Sequence, residues 1–373
     1  ARPVRGRRVV GGGQAQRDRV DAVAQVRGRA VALALEHVAH VGAAPGAAHL
    51  DSLHAEGLVL DVLHAVLGQG REEGAIILHG GAEGFDARVW QVLRADGSTV
   101  GIFIGDYFAR SSKRSGAWMS ALRGQDKLDG GHTPIIYNIC NFAKPAKGQP
   151  ALLSMDDART LFHEFGHALH GLLSDVTWPS LSGTSVSRDF VELPSQLYEH
   201  WLGVPEILER HARHVETGEA LPAEIVRRME ETRNFDAGFD TVEFTASALV
   251  DLALHEMGQA PDDPIAAEAE VLARIGMPDA IVMRHRSPHF AHVFSGDGYA
   301  SGYYSYMWSE VLDADAFEAF TETGDPFDPA MAQSLLRNIY SAGNSRPADV
   351  LYQAFRGRMP DAGALMRKRG LAA

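Results

Sequence analysis

The distribution of apolar residues after position 150 predicts a succession of amphipathic helices. Apolar side chains recur there at three- and four-residue spacings, which places them on one face of a helix. One helix should begin at Ser154, because Ser154 and Asp157 resemble a capping box ahead of an apolar run. Further helices are predicted at about 187–202, 205–217, 222–234, 238–258, 263–275, 300–321, 328–341 and 346–357.

Two regions before residue 150, a hairpin and a separate single run, have the β-branched and aromatic composition of strands. Residues 88–93 and 99–108 flank Asp96 and Gly97, a residue pair that favours a tight hairpin turn. Residues 133–142 form another strand-like run. Because helical patterns dominate the chain, we expect a mainly α fold with a small β-sheet element. No apolar run is long enough to span a membrane.

The first 84 residues differ in composition from everything that follows. Residues 1–84 contain no aromatic residue, lysine, methionine, cysteine or asparagine, yet they hold nine arginines and six histidines. Packed domains depend on aromatic side chains, so a separate domain is predicted over residues 85–373. Three explanations of the segment stay open: an Ala-rich helical extension, an Arg-rich targeting stretch, or a coding region translated out of frame. Its histidines, such as His37 and His40, lack acidic or Cys neighbours at metal-ligand spacing.

The charge balance narrows the classes of partner. The chain of 373 residues has a formal net charge of −13, and residues 1–84 contribute none of it because their nine acidic and nine basic side chains cancel. An acidic body argues against nucleic acid or an anionic membrane as partner. Cys140 is the single cysteine, so no internal disulfide can form, which favours a reducing cytoplasm.

His163, Glu164 and His167 carry the most specific chemical signal in the chain. Positions i and i+4 share a helix face, so His163 and His167 can present two imidazoles to one metal ion. Glu164 can then reach a water molecule bound to that ion. The alternative is a buried helix whose two histidines are satisfied by protein groups.

A third ligand would decide between these interpretations, because catalytic zinc takes three protein ligands and a water. The metzincin class requires Gly and His three and six residues after His167, where this chain has His170 and Leu173, so that class is excluded. We expect His170 to serve in packing or to support a ligand. The remaining source of a ligand is a Glu on a following helix, and the spacing leaves both Glu192 and Glu199 as candidates.

The stretch 163–201 resembles the zinc site of the thimet-oligopeptidase-like metallopeptidases, and most of all their peptidyl-dipeptidase branch. That family takes its third ligand from a Phe-Val-Glu-x-Pro-Ser-Gln segment, which matches residues 190–196. The resemblance implies that His163, His167 and Glu192 bind one zinc ion and that Glu164 is the general base. It also implies a helical zincin-type catalytic domain with a small sheet near the active site.

A second matching block lies at residues 289–308. It is similar to the family's Gly-rich loop and tyrosine cluster, whose donors map onto His292, Tyr299 and Tyr306. Such donors stabilise the negative charge that develops on the scissile carbonyl oxygen during amide hydrolysis. For Tyr303 and Tyr304, which are adjacent, a packing role is equally open.

The resemblance covers about residues 85–370, the catalytic C-terminal half of the family, and implies hydrolysis of short peptides. Release of C-terminal dipeptides is expected, with internal cleavage of short peptides or an inactive zinc-binding module as alternatives. The family's N-terminal helical half would be the missing partner, with exposed apolar surface where it docks, and the complete protein would be a monomer. The predicted strands would be either rails for extended substrate or a structural cover for the helices.

Overall fold

The computed structural model describes residues 76–81, 87–94, 96–146, 149–214 and 216–371. Within the compositionally unusual segment 1–84, it contains the strand Ile76–Gly81. The expectations for residues 1–75, including those for His37 and His40, lie outside the described residues. The three explanations of this segment, and the domain boundary at residue 84, therefore stay predictions.

A five-stranded sheet lies at the N-terminal end of the described chain. The hairpin turn falls at Asp96 and Gly97 as predicted, with a left-handed φ of 80° at Gly97. The parallel pair in the sheet is β3 with β5, and the other neighbours are antiparallel. The strands are β1 (Ile76–Gly81), β2 (Arg88–Leu93), β3 (Thr99–Phe108), β4 (Trp118–Arg123) and β5 (Ile135–Phe142), in the spatial order β1, β2, β3, β5, β4.

The strand order favours a structural cover over substrate rails, the two roles that the sequence left open for β2, β3 and β5. Each of these strands is hydrogen-bonded to a neighbour on both sides, so its main-chain groups are already paired. The open edges of the described sheet belong to β1 and β4. Strand β4 is not evident in the sequence, because Trp118–Arg123 is short and mixes apolar with polar residues.

Helices fill the rest of the described chain, which confirms the prediction of a mainly α fold with a small sheet. The helix predicted at 187–202 is interrupted at Glu192, and the one predicted from residue 300 begins only at Ser305. The helices are α1 (Met155–Leu172), α2 (Arg188–Val191), α3 (Leu193–Glu199), α4 (Pro205–His211), α5 (Ala223–Thr232), α6 (Ala237–His255), α7 (Pro264–Arg274), α8 (Ala291–Phe294), α9 (Ser305–Thr321), α10 (Pro329–Leu335, continued by a π-helical turn to Tyr340), α11 (Ala348–Arg356) and α12 (Ala362–Lys368).

Helix α1 lies between the sheet and the other helices at the centre of the main core. On the sheet side, the ring of Phe165 meets that of Phe103 edge-on at 5.1 Å. On the helical side, Phe162 lies 5.3 Å from the ring of Tyr198 in α3. Burial of each such ring stabilises the fold by roughly 1.5–3 kcal/mol. The helix that carries His163 and His167 is therefore held rigidly from both sides.

No helix among the described residues is both long and apolar enough to cross a lipid bilayer.

Large apolar side chains are exposed on and beside α6, notably Phe235, Phe239 and Leu252. The docking surface that the sequence predicts for a missing helical half stays a prediction.

Candidate metal centre and active site

The N-terminal cap of α1 fixes where the histidine face begins. Ser154 Oγ accepts a hydrogen bond from the Asp157 backbone N–H at 3.0 Å, and the Ser154 N–H donates to Asp157 Oδ2 at 3.1 Å. The predicted capping box is therefore present. Two turns further on, the rings of His163 and His167 lie 4.9 Å apart and nearly perpendicular, at 85°.

Glu192 reaches this histidine pair from the break between α2 and α3. Its Oε2 lies 3.0 Å from His167 Nε2 and 3.2 Å from His163 Nε2. The carboxylate is 3% exposed, and the Ser195 hydroxyl donates to the same Oε2 at 3.1 Å. Although burial alone would raise the pKa of Glu192, the two histidines hold it well below its usual range. Glu192 is thus an anion aimed between two imidazoles.

A glycine allows the two ligand-bearing segments to approach each other. A Cβ atom on Gly166 would lie 2.6 Å from both Pro194 O and Ser195 Cα. Both are backbone atoms, which cannot turn aside as a flexible side chain can. A larger residue at position 166 would therefore push α3 away from α1. The Gly between Glu164 and His167 is therefore part of what places Glu192.

The donor set fits a metal ion. One donor atom each from His163, His167 and Glu192 can be chosen so that all three lie within 4.8 Å of one another. Ligands held at 2.0–2.2 Å around a tetrahedral zinc are separated by about 3.3 Å, and the observed separations of 3.0 and 3.2 Å are close to this. Within the described ranges, this is the one such group of three donors found.

Glu199, the other candidate for a third ligand, takes a different position. Its Oε1 lies 2.7 Å from His163 Nδ1, on the side of the ring opposite Glu192. Burial would lower the pKa of His163, but the hydrogen bonds to Glu192 and Glu199 outweigh it and hold that pKa well above its usual value. A carboxylate on Nδ1 fixes the tautomer and orientation of a metal-binding imidazole through Nε2. The geometry gives Glu199 this orienting place.

Glu164 and His170 are both buried on α1, with different surroundings. Glu164 is 5% exposed, and its Oε2 has no hydrogen-bond partner among the described residues. Burial raises the pKa of Glu164, against the opposing effect of His163 and His167. His170 is completely buried, which lowers its pKa to about 3, and its ring packs edge-on against Tyr340 at 6.3 Å. His170 thus serves in packing, while Glu164 has an unused acceptor.

The three donors expected from the tyrosine block form one cluster. His292 Nε2 lies 2.9 Å from Tyr306 Oη. The ring of Tyr299 stacks parallel to that of Tyr306 at 6.1 Å and lies 4.2 Å from the ring of His292. Short helix α8 and the first turn of α9 supply the two ends of the cluster, so residues 14 apart in sequence meet.

This cluster is tied to the candidate metal centre. The Gln196 side-chain amide in α3 donates to the Tyr306 carbonyl oxygen at 3.1 Å. Burial, followed by the nearby charge of Glu192, raises the pKa of Tyr306, so its hydroxyl keeps the proton that it can donate. The neighbouring Tyr303 is 7% exposed and stacks on Phe244 at 4.9 Å, which is the packing role left open by the sequence.

A cavity of about 770 Å³ opens beside the metal centre and the tyrosine cluster. Glu199 and Tyr306 are among its lining residues, so a molecule in it would lie next to the hydrogen-bond partner of His163 and to the tyrosine cluster. The other lining residues are Ser115, Gly116, Gln196, Phe244, Arg284, His285, His292, Tyr303, Met307, Glu310, Asp313 and Lys368.

Three supporting residues are absent from the sequence-based prediction. Ser195 and Gln196 lie in the Phe-Val-Glu-x-Pro-Ser-Gln match itself, so the motif offered a signal for both. The guanidinium carbon of Arg188 lies 4.3 Å above the centre of the Tyr299 ring, a cation–π contact. Nothing in the sequence links Arg188 to a tyrosine 111 residues away.

The chain is similar to known peptidases over most of its length. The model of peptidase family M3 matches residues 78–371. The dipeptidyl carboxypeptidases of Salmonella typhimurium and Escherichia coli are 43% and 42% identical over 290 and 289 residues, and oligopeptidase A of E. coli is 41% identical over 293. Each alignment covers 77% of this chain but 42% of the relative, so the chain spans about two fifths of the length of these proteins. The chain belongs to peptidase family M3.

Proposed function

We propose that this chain is the catalytic part of a zinc peptidase that acts on short peptides. The observation that carries the proposal is the convergence of His163, His167 and Glu192 beside Glu164, whose buried Oε2 has no hydrogen-bond partner among the described residues. Two imidazole nitrogens and one carboxylate oxygen, with room for water, form a typical donor set of catalytic zinc. We propose one ion, because one group of donors is present in the described part of the chain.

The chain's own residues would divide the chemistry of amide hydrolysis among them. Bound at this site, zinc supplies a Lewis acid that polarises the scissile carbonyl and makes water more acidic. Glu164, with its free acceptor atom, takes a proton from the attacking water and delivers it to the leaving amine. Tyr306 donates a hydrogen bond to the carbonyl oxygen as negative charge develops there, with Tyr299 and His292 positioned alongside.

The expected products are C-terminal dipeptides. Support comes from the 43% identity to a protein named dipeptidyl carboxypeptidase, although oligopeptidase A, at 41%, keeps internal cleavage as the alternative. Strand β4 offers an open edge on which an extended peptide can add as a further strand, and it packs against α1. Ser115 and Gly116, just before β4, line the cavity beside the metal centre. The open edge therefore begins where the substrate would lie.

Two further expectations belong to this proposal. We propose a cytoplasmic compartment, which the single, buried Cys140 supports because nothing here depends on an oxidising environment. We also propose that the full activity requires a separate or preceding helical segment that corresponds to the rest of the relatives' length. The exposed side chains of Phe235 and Phe239 support a docking surface of that kind.

Digestion of an N-terminally blocked peptide, read by mass spectrometry, tests the proposed function. The zinc-loaded chain should release C-terminal dipeptides, and Glu164→Gln should bind zinc but lose at least 100-fold in rate. Internal fragments would favour the oligopeptidase alternative. Stoichiometric zinc without any cleavage would favour an inactive zinc-binding module.

A further inference from the structure

The cavity beside the candidate metal centre is lined by four basic side chains, Arg284, His285, His292 and Lys368. His292 is already engaged, because its Nε2 lies 2.9 Å from Tyr306 Oη. A peptidase that always cleaves two residues before the C-terminus must hold the terminal carboxylate at a fixed position, and a cation can do so. Two residues of extended chain span about 7 Å, so that cation must share a cavity with the groups that attack the peptide bond. The other three side chains differ in how far the protein already neutralises them.

Lys368 is already neutralised by the protein. Its Nζ lies 3.0 Å from Oδ1 of Asp313, which is completely buried, and 3.6 Å from Glu310 Oε1. A buried carboxylate deprived of its cation is costly, by several kcal/mol in order of magnitude. Lys368 is therefore held by the fold and has no charge to spare for a ligand.

The surroundings of His285 disfavour its protonated form. Burial lowers its pKa below the usual value, and the charge of Arg284 lowers it further. Its ring packs against Phe290 at 5.0 Å and meets Tyr303 edge-on at 6.4 Å. A neutral imidazole can accept or donate one hydrogen bond, but it does not supply the positive charge that a carboxylate requires.

Arg284 is the cation of this cavity whose charge is least neutralised by the protein. Its nearest carboxylate is Glu243, whose Oε2 lies 4.0 Å from Nη1, beyond hydrogen-bonding distance. The side chain is 54% exposed, so the guanidinium is free to meet a ligand. The Arg284 charge also opposes the rise that burial causes in the pKa of Tyr303, whose ring lies 5.6 Å from that of Tyr306. Arg284 therefore acts across the same cavity as the proposed oxyanion donors.

We propose that Arg284 binds the C-terminal carboxylate of the peptide substrate and so determines that cleavage occurs at a short, fixed distance from the C-terminus. This rests on the proposed function and names the feature of the substrate that the site would select. A planar guanidinium can receive a carboxylate through two parallel hydrogen bonds, which fixes both position and direction of the peptide. A C-terminal amide or a longer internal peptide lacks that partner.

Binding without turnover tests the proposal separately from catalysis. The probes are an N-acetylated tetra-alanine with a free C-terminal carboxylate and the same peptide as a C-terminal amide, titrated by calorimetry into zinc-loaded Glu164→Gln chain. The free acid should bind about tenfold more tightly than the amide, the range expected of a partly exposed bidentate pair. Adding Arg284→Gln should reduce affinity for the acid to that for the amide, and Arg284→Lys should restore part of the difference.

Arg346→Gln is the matched control, since Arg346 is an exposed arginine that lines a different cavity near the C-terminal end of α1. It removes the same charge and should keep the tenfold preference. Equal binding of acid and amide by the chain that retains Arg284, or a preference that survives Arg284→Gln, would overturn the proposal. Preferential binding of the acid by a chain that never cleaves peptides would instead support the role of Arg284 and refute the proposed function.

Discussion

A Cβ atom on Gly166 would lie 2.6 Å from Ser195 Cα, so the helix that carries both histidines is in backbone contact with the helix that follows Glu192. The distance is below any that real Cβ atoms adopt, and neither partner is the end of a flexible side chain. The position of the third metal donor thus depends on the absence of a side chain at residue 166.

Replacement of Gly166 by alanine should therefore displace Glu192 and weaken metal binding, even though α1 itself would gain helix propensity. We expect at least a tenfold loss of zinc affinity in a competition titration with a chromogenic chelator. Gly238→Ala is the control, because Gly238 also lies in a helix but has no atom within 4 Å of its added Cβ. The control should keep full zinc affinity; an unchanged affinity in Gly166→Ala would refute this account of the glycine.

Glu199→Gln should lower zinc affinity by about 10- to 100-fold, because the amide orients His163 less firmly than the carboxylate does. Glu192→Gln should lower it much further, because it removes the charge of a proposed direct ligand. The same competition titration measures both. If Glu199→Gln lowered zinc affinity more than Glu192→Gln did, Glu199 rather than Glu192 would be the third ligand, as the helix spacing alone allowed.

Tyr306→Phe should reduce kcat by about 100-fold with little change in KM, because loss of one oxyanion donor affects the transition state more than the substrate complex. Steady-state hydrolysis of a short blocked peptide measures both constants. Tyr304→Phe, which removes the same atom from a half-exposed tyrosine, should change kcat less than threefold. Equal effects of the two substitutions on kcat would contradict the proposed role of Tyr306 as an oxyanion donor.

The buried Asp313 should make stability fall in acid. Burial would raise its pKa, but Lys368 and His200 hold that pKa below the usual value of about 3.9. A lowered pKa means that the stabilisation is present above about pH 4 and is lost as the pH falls through the folded-state value. Asp313→Asn should therefore lower the free energy of unfolding by about 3 kcal/mol at pH 7.

Urea unfolding at pH 7 and pH 3 checks this, since the gap between wild type and Asp313→Asn should narrow at the lower pH. Glu322→Gln is the matched control, because Glu322 also forms an ion pair, with Arg356, but is largely exposed. Exposed pairs contribute about 0–1 kcal/mol, so this variant should remain close to wild type. A gap between wild type and Asp313→Asn that widens at pH 3 would contradict the assigned direction of the pKa.

Local patterns in the sequence were sufficient to predict α1 and to place His163 and His167 on one face of it. The capping box at Ser154 and the i, i+4 spacing of His163 and His167 depend on neighbours within one or two turns, which a sequence displays directly. Spacing alone did not distinguish Glu192 from Glu199, because both lie in the helical segment that follows α1. The choice of Glu192 came from a family motif, and the break between α2 and α3 gives its physical reason.

Long-range pairing explains the features that the sequence did not reveal. Strand β4 is recognisable only from its partner β5, because Trp118–Arg123 has no clear alternation of its own. The contact of Arg188 with Tyr299 joins residues from separate helices and loops. The neighbours that distinguish Arg284 from Lys368, namely Glu243 for the one and Asp313 for the other, are brought together only by the folded chain.

Native mass spectrometry of the zinc-treated chain tests the central claim most directly. We expect a mass increase of one zinc ion per chain in the wild type and in Glu164→Gln, and none in His163→Ala or Glu192→Ala. This pattern would show that His163 and Glu192 hold the ion and that Glu164 does not. No bound zinc in the wild type, or one zinc retained after both ligand substitutions, would contradict the account.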